Sequence, residues 1–251
     1  MMDDGQASTS CENTYPSDNP EDRQQRMLSL APPYSLQDLT TYLQLEDVSG
    51  TMSGTMPTPP SIIFINPLWL GEWPESLFSL THSLSKLLIV DAQGFLRRVD
   101  AGGTMSKHDW IHKFIYLPLI DVFKIDTMEA NVLTSFTDLH RACQCLHFDF
   151  GGKIILATET SGVGLLTNDG EWVYEQWGSF VMEGRTGRGD TATVAFIGIM
   201  MKGGYFTVDK NNRIHLLTSD LGVMRGVMQR VARITTAKMQ YPGPYRGDEA
   251  L

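Results

Sequence analysis

The feature that most limits what this chain can fold into is a glycine-rich turn that runs directly into an apolar segment. Residues 184–190 have the sequence GRTGRGD, and residues 192–201 are almost entirely apolar. Gly187 and Gly189 allow positive φ angles and let the backbone come close to a ligand. Because the apolar segment has no clearly polar face, we predict a buried helix that starts at this turn.

A buried helix that starts at this turn would have a chemical consequence. Asp190 is a residue type typical of a helix start. The unsatisfied N–H groups and the positive end of the helix dipole would point into the turn and form an anion site. A carboxylate beside such a site can take a proton from a hydroxyl group that attacks a phosphate. The alternatives are an ordinary glycine loop that caps a core helix, and an exposed Arg-Gly-Asp adhesion tripeptide.

Length and charge exclude several classes of protein. The chain has 251 residues, enough for one large α/β domain or two small ones. Its net charge of -9 argues against a nucleic-acid-binding protein, which needs a basic surface. The longest apolar runs, 62–70 and 192–201, have about half the length of a membrane span, and the N-terminus has no signal pattern. We expect a cytoplasmic protein with neither a membrane nor a nucleic-acid partner.

The cysteines do not indicate a disulfide framework, because their number is odd: Cys11, Cys143 and Cys145. His140 and His147 flank two of them, which raises the alternative of a zinc site. The Cys-x-Cys spacing is too tight for most tetrahedral zinc sites. We favour a helix over about 137–146 whose small residues face the core.

Two apolar strands with a helix between them predict a parallel sheet. Residues 62–65 and 87–91 have the β-branched, continuous apolar character of buried strands, and a helix starting near Pro74 separates them. Ligands bind at the carboxyl ends of such strands. Asp91 stands at one of these ends.

The central turn also resembles a known family signature. Residues 186–191, TGRGDT, resemble the T-G-A-G-D-T/S signature of the ribokinase/PfkB carbohydrate kinase family. The resemblance implies that Gly187 and Gly189 belong to an anion hole for the transferred phosphoryl group and that Asp190 is the catalytic base. Arg188 replaces the usual alanine and adds positive charge there, so we include it among the catalytic residues.

Further segments resemble the family in the same order along the chain. Residues 91–97, DAQGFLR, resemble its D-x-Q-G-x-x-R element, which implies that Asp91, Gln93 and Arg97 bind the substrate. Residues 126–129 resemble its N-x-x-E element. There Glu129 would organise Mg²⁺ near the phosphates, and Asp126 would supply an oxygen ligand in place of the usual asparagine.

The nucleotide contacts implied by the resemblance lie in two segments besides the central turn. Residues 159–166 resemble the T-x-G-x-x-G segment that lies along the nucleotide phosphates, with Thr160 in place of the first glycine. Residues 237–247 resemble the K-M-x-x-x-G-P ending, near which the adenine lies. The nucleotide contacts expected from these segments and the turn are Thr158, Ser161, Gly162, Thr186 and Lys238.

The resemblance implies an α/β, ribokinase-like fold with a mostly parallel central sheet and helices on both faces. We expect a disordered tail over 1–11 and one kinase domain over 12–251. Because residues 12–39 resemble the substrate lid, we expect the N-terminal portion of the family domain to be absent and the lid to be largely missing. Residues 202–228 match nothing in the family and predict an insertion in the form of a loop or small hairpin.

The predicted activity is ATP- and Mg²⁺-dependent phosphorylation of a sugar or polyol hydroxyl group. A nucleoside is another possible acceptor, and a homodimer is compatible with the family. The alternative is a truncated, weak or inactive relative that binds a nucleotide in a regulatory role.

Overall fold

A computed structural model describes residues 8–14, 16, 24–42, 62–179, 186–241 and 243. The chain divides into two compact units, Met1–Trp110 and Ile111–Leu251. Of the tail predicted over 1–11, residues 1–7 lie outside the described part. Ser10 and Cys11 lie in the first strand and pair with the second, so the tail prediction is wrong for these two residues.

The described part of the first unit consists of short strands and helices in the order β1 (Ser10–Thr14), β2 (Gln24–Ser29), α1 (Leu36–Tyr42), β3 (Ile62–Ile65), α2 (Phe78–Leu84), β4 (Leu87–Asp91), α3 (Gln93–Leu96), β5 (Arg97–Val99) and β6 (Met105–Lys107). A 3₁₀ turn, Glu75–Leu77, leads into α2 and follows Pro74, near which the sequence places a helix start.

The predicted β-α-β arrangement is confirmed in this unit. Strands β3 and β4 pair in parallel, with Ile62 opposite Leu87 and Ile65 opposite Val90. Every residue of β4 is buried, which explains its continuous apolar sequence. Asp91 ends this strand, as predicted.

Two antiparallel hairpins, β1–β2 and β5–β6, form the rest of the first unit's strands. A single bridge between Arg26 and Thr104 joins them, and the Met27 N–H donates to the Gly103 carbonyl at 2.8 Å. Gly103 has φ +82°, and a Cβ atom there would overlap the backbone carbonyl oxygen of Met27. Residues 24–29, which resemble the family lid, therefore belong to a joined pair of hairpins.

The second unit alternates strands and helices in the order α4 (Lys113–Tyr116), β7 (Val122–Asp126), α5 (Thr127–Thr134), α6 (Leu139–Phe148), β8 (Ile154–Thr158), β9 (Gly162–Leu166), β10 (Trp172–Gln176), α7 (Arg188–Lys202), β11 (Phe206–Val208), β12 (Ile214–Leu216) and α8 (Leu221–Met239). None of the helices in the described ranges combines the length and apolar composition needed to cross a membrane.

The sheet of the second unit contains both strand directions. β7 and β8 pair in parallel, whereas β8–β9 and β9–β10 are antiparallel. Helices α7 and α8 pack on each other, with α7 against β7 and β8 and α8 against β9 and β10. The α/β fold class with parallel strands is therefore confirmed, with an antiparallel edge.

The segment 202–228 contains a small hairpin, β11–β12, as its sequence predicts. One buried carboxylate ties it to the start of β7. Asp121 accepts a hydrogen bond from Lys153 Nζ at 2.7 Å on one oxygen and from the Arg213 guanidinium on the other. The following helix, α8, starts at Leu221, so residues 221–228 of the segment predicted as a loop or small hairpin are helical.

Candidate functional site

The start of α7 carries the central motif. Gly187 has φ +83° and is the residue that precedes the helix, while Asp190 lies in its first turn. The Thr191 N–H donates to the Gly187 carbonyl at 2.9 Å and closes this turn. Asp190 is exposed, whereas Arg188 is only 7% exposed. The helix itself is 15 residues long and largely buried, as predicted.

Gly189 differs from the prediction. It lies inside α7 and its φ is not positive, so conformational freedom does not explain it. A Cβ built on Gly189 would lie 2.5 Å from Cε and 2.8 Å from Nζ of Lys124. The space above this glycine is therefore filled by a lysine side chain that comes from β7.

A second lysine lies close to the turn. Lys238, near the end of α8, has its Cε atom 3.7 Å from the position of a Cβ on Gly187. It is 3% exposed, and burial lowers the pKa of its ammonium group. Two buried lysines thus lie close to the turn, and of these the sequence indicated only Lys238. Lys124 was missed because it interrupts an apolar strand and belongs to no motif.

The predicted metal residues, Asp126 and Glu129, form a capping box at the start of α5. Asp126 Oδ1 accepts from the Glu129 N–H at 2.8 Å, and Glu129 Oε2 accepts from the Asp126 N–H at 2.8 Å. Each carboxylate thereby uses one oxygen for the fold. Asp126 is half-buried, and it lies opposite Thr158 in the parallel pair β7–β8.

The predicted nucleotide segment has its own internal partners. Ser161 Oγ donates to Glu159 Oε1 at 2.9 Å and lies 2.9 Å from the Tyr174 hydroxyl, which donates to the same carboxylate at 2.5 Å. Burial and the hydrogen bond to Glu159 raise the pKa of Tyr174 to about 12. Thr158 is buried at the end of β8, and Thr186 is exposed before α7.

The two glycines of β9 make room for aromatic rings of β10. A Cβ on Gly162 would overlap the Tyr174 ring, and one on Gly164 would overlap the Trp172 indole. Trp172 in turn stacks on His140, with ring centroids 4.8 Å apart. The absence of side chains at these glycines therefore serves strand packing.

The predicted zinc alternative has no support within the described residues, where no three His, Cys, Asp or Glu side chains are grouped to hold a metal. Cys143 and Cys145 lie on α6, and Cys143 is buried. Burial raises the pKa of both thiols, that of Cys145 to about 11. Cys143 is therefore a core residue of a helix, as favoured from the sequence, whereas Cys145 is half-buried.

In the first unit, the structure brings the three predicted substrate residues together. The Gln93 N–H donates to Asp91 Oδ1 at 2.9 Å, and an Arg97 guanidinium nitrogen donates to Gln93 Oε1 at 2.6 Å. Asp91 and Arg97 are buried. α3, the short helix between them, packs so closely that a Cβ on Gly94 would overlap the backbone of Pro67.

Arg97 also lines a cavity of about 590 Å³ in the first unit. The cavity lies along the two joined hairpins, and its lining is mainly polar and charged: Glu12, Thr14, Gln24, Gln25, Arg26, Thr104, Met105, Ser106 and Lys107. A polar lining rich in hydrogen-bonding groups suits a hydroxylated small molecule.

The known proteins that this chain resembles are found among solved structures. No protein-family model matches it, and neither does any curated protein sequence. Solved structures do match. A pyrophosphate-dependent kinase of the ribokinase family, in a sulfate complex, is 34% identical over 95% of this chain and 72% of its own, with a TM-score of 0.74.

Two further solved structures agree with this match. A pyrophosphate-dependent ribokinase-family kinase complexed with a pyrophosphate analog and myo-inositol is 34% identical over 95% of this chain and 71% of its own, with a TM-score of 0.72. Ribokinase from Arabidopsis thaliana, complexed with ribose and ATP, shares the fold at 16% identity, 95% and 65% coverage and a TM-score of 0.60. The chain therefore belongs to the ribokinase/PfkB family of carbohydrate kinases, whose members phosphorylate sugars or polyols.

Proposed function

We propose that this protein transfers a phosphoryl group from inorganic pyrophosphate to a hydroxyl group of a cyclic polyol, with Asp190 as the catalytic base. The observation that carries the proposal is the start of α7. An exposed carboxylate in its first turn stands beside a left-handed glycine, Gly187, and buried lysines lie against the same turn.

The chemistry needs a base and a stabilised anion. The hydroxyl oxygen of the acceptor attacks phosphorus, its proton passes to the Asp190 carboxylate, and the bond to the leaving orthophosphate breaks. Negative charge on the phosphoryl oxygens is stabilised by the N–H groups and dipole of α7 and by the nearby cations. Lys238 and Arg188 supply such cations, and both are buried.

Pyrophosphate is the proposed donor because the relatives at 34% identity are pyrophosphate-dependent kinases. Buried cations beside a helix start suit a compact, highly charged donor. ATP, which the family resemblance implies, is the second candidate. The segment that resembles the nucleotide-binding element contains Gly162, above which the Tyr174 ring already lies.

Mg²⁺ would be held by Asp126 and Glu129, whose oxygen donor set fits this ion. Mg²⁺ is commonly bound by one or two carboxylates together with waters and substrate phosphates, and the capping box fixes both carboxylates in place while using one oxygen of each. A bound Mg²⁺ would neutralise charge on the donor phosphates.

The acceptor is proposed to contact Asp91, Gln93 and Arg97 and the polar cavity that Arg97 lines. A kinase at 34% identity was solved with myo-inositol, a cyclic polyol of a size that a cavity of about 590 Å³ accommodates. Sugars and nucleosides are the other acceptors to test.

The test is a phosphoryl-transfer assay of the purified full chain with Mg²⁺. Pyrophosphate and ATP are each combined with myo-inositol, other polyols, sugars and nucleosides, and formation of the phosphorylated acceptor is measured. Asp190→Asn should lower kcat by about 10²–10⁴-fold, the usual contribution of a general base. Asp169→Asn, an exposed aspartate in the β9–β10 turn, is the matched control and should behave as wild type.

The outcomes separate the parts of the proposal. Turnover with pyrophosphate and a polyol supports the proposal. Turnover with ATP but not with pyrophosphate would make ATP the donor. Full activity of Asp190→Asn would exclude this residue as the base. Pyrophosphate binding without turnover of any acceptor would favour an inactive, ligand-binding relative.

A further inference from the structure

Lys124 is a buried charged residue in the middle of β7. Its neighbours along β7, Phe123 and Ile125, are fully buried, and Lys124 is itself only 6% exposed. Removing an ammonium group from water is costly, so lysines are rarely buried to this extent. None of the sequence motifs described above includes Lys124.

The end of the Lys124 side chain reaches the first turn of α7. The three atoms nearest to a Cβ built on Gly189 are Cε, Nζ and Cδ of Lys124, at 2.5, 2.8 and 3.8 Å. Gly189 is helical, so alanine would fit its backbone conformation. The obstacle to a side chain at Gly189 is therefore the lysine.

We propose that Lys124 is a catalytic residue that stabilises the negative charge of the phosphoryl group during transfer, and that Gly189 is a glycine because this lysine occupies the space of its side chain. The inference rests on the proposed kinase reaction. The ammonium group keeps its protons throughout and donates hydrogen bonds to non-bridging phosphoryl oxygens. Asp190 still takes the proton of the acceptor, and orthophosphate still leaves with the electrons of the broken P–O bond.

The first experiment replaces the lysine. Lys124→Met keeps the length of the side chain and removes its charge, and Lys124→Arg keeps the charge. For Lys124→Met we expect kcat to fall by about 10²–10³-fold, as on loss of one oxyanion donor, with little change in the KM of the acceptor. Lys124→Arg should recover part of this loss. Lys210→Met, an exposed lysine in the β11–β12 turn, is the charge-matched control.

A purely structural role predicts a different result. It would change the unfolding temperature of Lys124→Met and leave kcat per folded molecule unchanged. Under our proposal kcat per folded molecule falls whether or not the unfolding temperature changes. An unchanged kcat for Lys124→Met would overturn the proposal.

The second experiment is a double-mutant cycle between Lys124 and Gly189. Gly189→Ala should lower kcat in the wild-type background, because the new methyl group displaces the lysine. In the Lys124→Ala background the same change should have little further effect, since interacting residues are non-additive. Gly226→Ala, a helical glycine with open space around its Cβ position, is the control. If Gly189→Ala lowers kcat equally in both backgrounds, the glycine is needed for the donor to approach the backbone and not to make room for Lys124. This result would contradict our proposal.

Failure of the proposed kinase function can be distinguished from failure of the proposed role of Lys124. If the wild type turns over no donor and acceptor pair, the proposed function fails, and calorimetric titration with pyrophosphate then decides on Lys124. Lys124→Met should bind pyrophosphate at least about 10-fold more weakly, as expected for the loss of a hydrogen bond from a charged group. Equal affinities, or no binding to the wild type, would overturn the role of Lys124.

Discussion

Arg188 is the first residue of α7 and the only arginine in its first turn. It occupies the position at which the family signature has alanine, and it is buried beside Gly187. A guanidinium group offers several fixed donors that suit phosphate oxygens. Its position makes it a candidate for binding the donor before any chemistry takes place.

We predict that Arg188→Ala raises the KM of the donor by about 10- to 100-fold, the range expected for losing one hydrogen bond from a charged group. The KM of the acceptor should change little. Steady-state kinetics with each substrate varied in turn will test this, with Arg225→Ala, an exposed arginine on α8, as the control. An unchanged donor KM would remove Arg188 from the donor site.

The pKa of Lys238 gives a pH prediction. Burial lowers it below the value of 10.5 for an exposed lysine. The lysine therefore loses its charge at a lower pH than usual, and the affinity for a phosphate donor should fall as the pH rises through the lowered pKa. Because the unfolded chain binds more protons in the window between the two values, this lysine makes the fold more stable as the pH rises there.

Lys238→Arg should move the alkaline fall of kcat/KM for the donor to higher pH, because a guanidinium group stays charged. The measurement is a pH profile of kcat/KM for both proteins, and Lys202→Arg, an exposed lysine at the end of α7, serves as the control. Coincident profiles for Lys238→Arg and the wild type would assign the alkaline fall to another group.

At the scale of elements, the pairing of β9 with β10 depends on residues that have no side chain. The Trp172 indole occupies the space of a Cβ on Gly164. Gly164→Ala should therefore lower the free energy of unfolding by about 1–3 kcal/mol through overpacking. Urea unfolding will measure this, and Gly226→Ala should be neutral or slightly stabilising because its surroundings are open. Equal stabilities of Gly164→Ala and the wild type would mean that the indole moves freely.

The hairpin β11–β12 depends on one buried carboxylate. Asp121 pairs with both Lys153 and Arg213, and its own side chain is 5% exposed. Asp121→Ala should destabilise the fold by about 3–5 kcal/mol, the cost of breaking a buried ion pair, with the loss reduced by the partial exposure of Lys153. Urea unfolding and limited proteolysis of the segment 206–216 will test this. The comparison is Asp209→Ala, which removes a half-buried aspartate of the same hairpin that pairs with His215.

The sequence predicted the elements of the fold well where apolar runs and turn residues agree. The strands at 62–65 and 87–91 and the buried helix after Gly187 are in place. The antiparallel pairing of β8 with β9 is less evident from the sequence, because the direction of a strand depends on the strand with which it pairs. The joining of the two hairpins through Arg26 and Thr104 depends on residues far apart in sequence, which no local pattern encodes.

The motifs of the sequence lead to the residues at the start of α7, whereas no motif marks Lys124. Asp190 and Gly187 follow from the turn, but the space above Gly189 is filled by a residue of another strand. The capping box of Asp126 and Glu129 shows that a motif residue can also serve the fold. That Asp126 and Glu129 also stabilise the start of α5 becomes apparent only from their hydrogen bonds in the structure.

At the scale of the whole molecule, the net charge of -9 contrasts with the buried cations around α7. Like charges gathered in a buried region disfavour the folded state, and an anionic ligand relieves this. Pyrophosphate at about 100 times its Kd should therefore add about 2.7 kcal/mol to the free energy of unfolding. A thermal-shift titration tests this, with sodium sulfate at equal ionic strength to measure the general effect of salt. Equal thermal shifts with pyrophosphate and with sodium sulfate would mean that pyrophosphate has no specific site.

The lysine beside Gly187 comes from the last helix of the described chain, α8, and the lysine beside Gly189 comes from β7. During synthesis, the glycine turn and the first lysine leave the ribosome well before Lys238. The set of cations around α7 is therefore complete only when α8 has been made and has packed against α7. Pyrophosphate binding would then report that α8 has packed against α7, since a nascent chain that ends before α8 lacks Lys238.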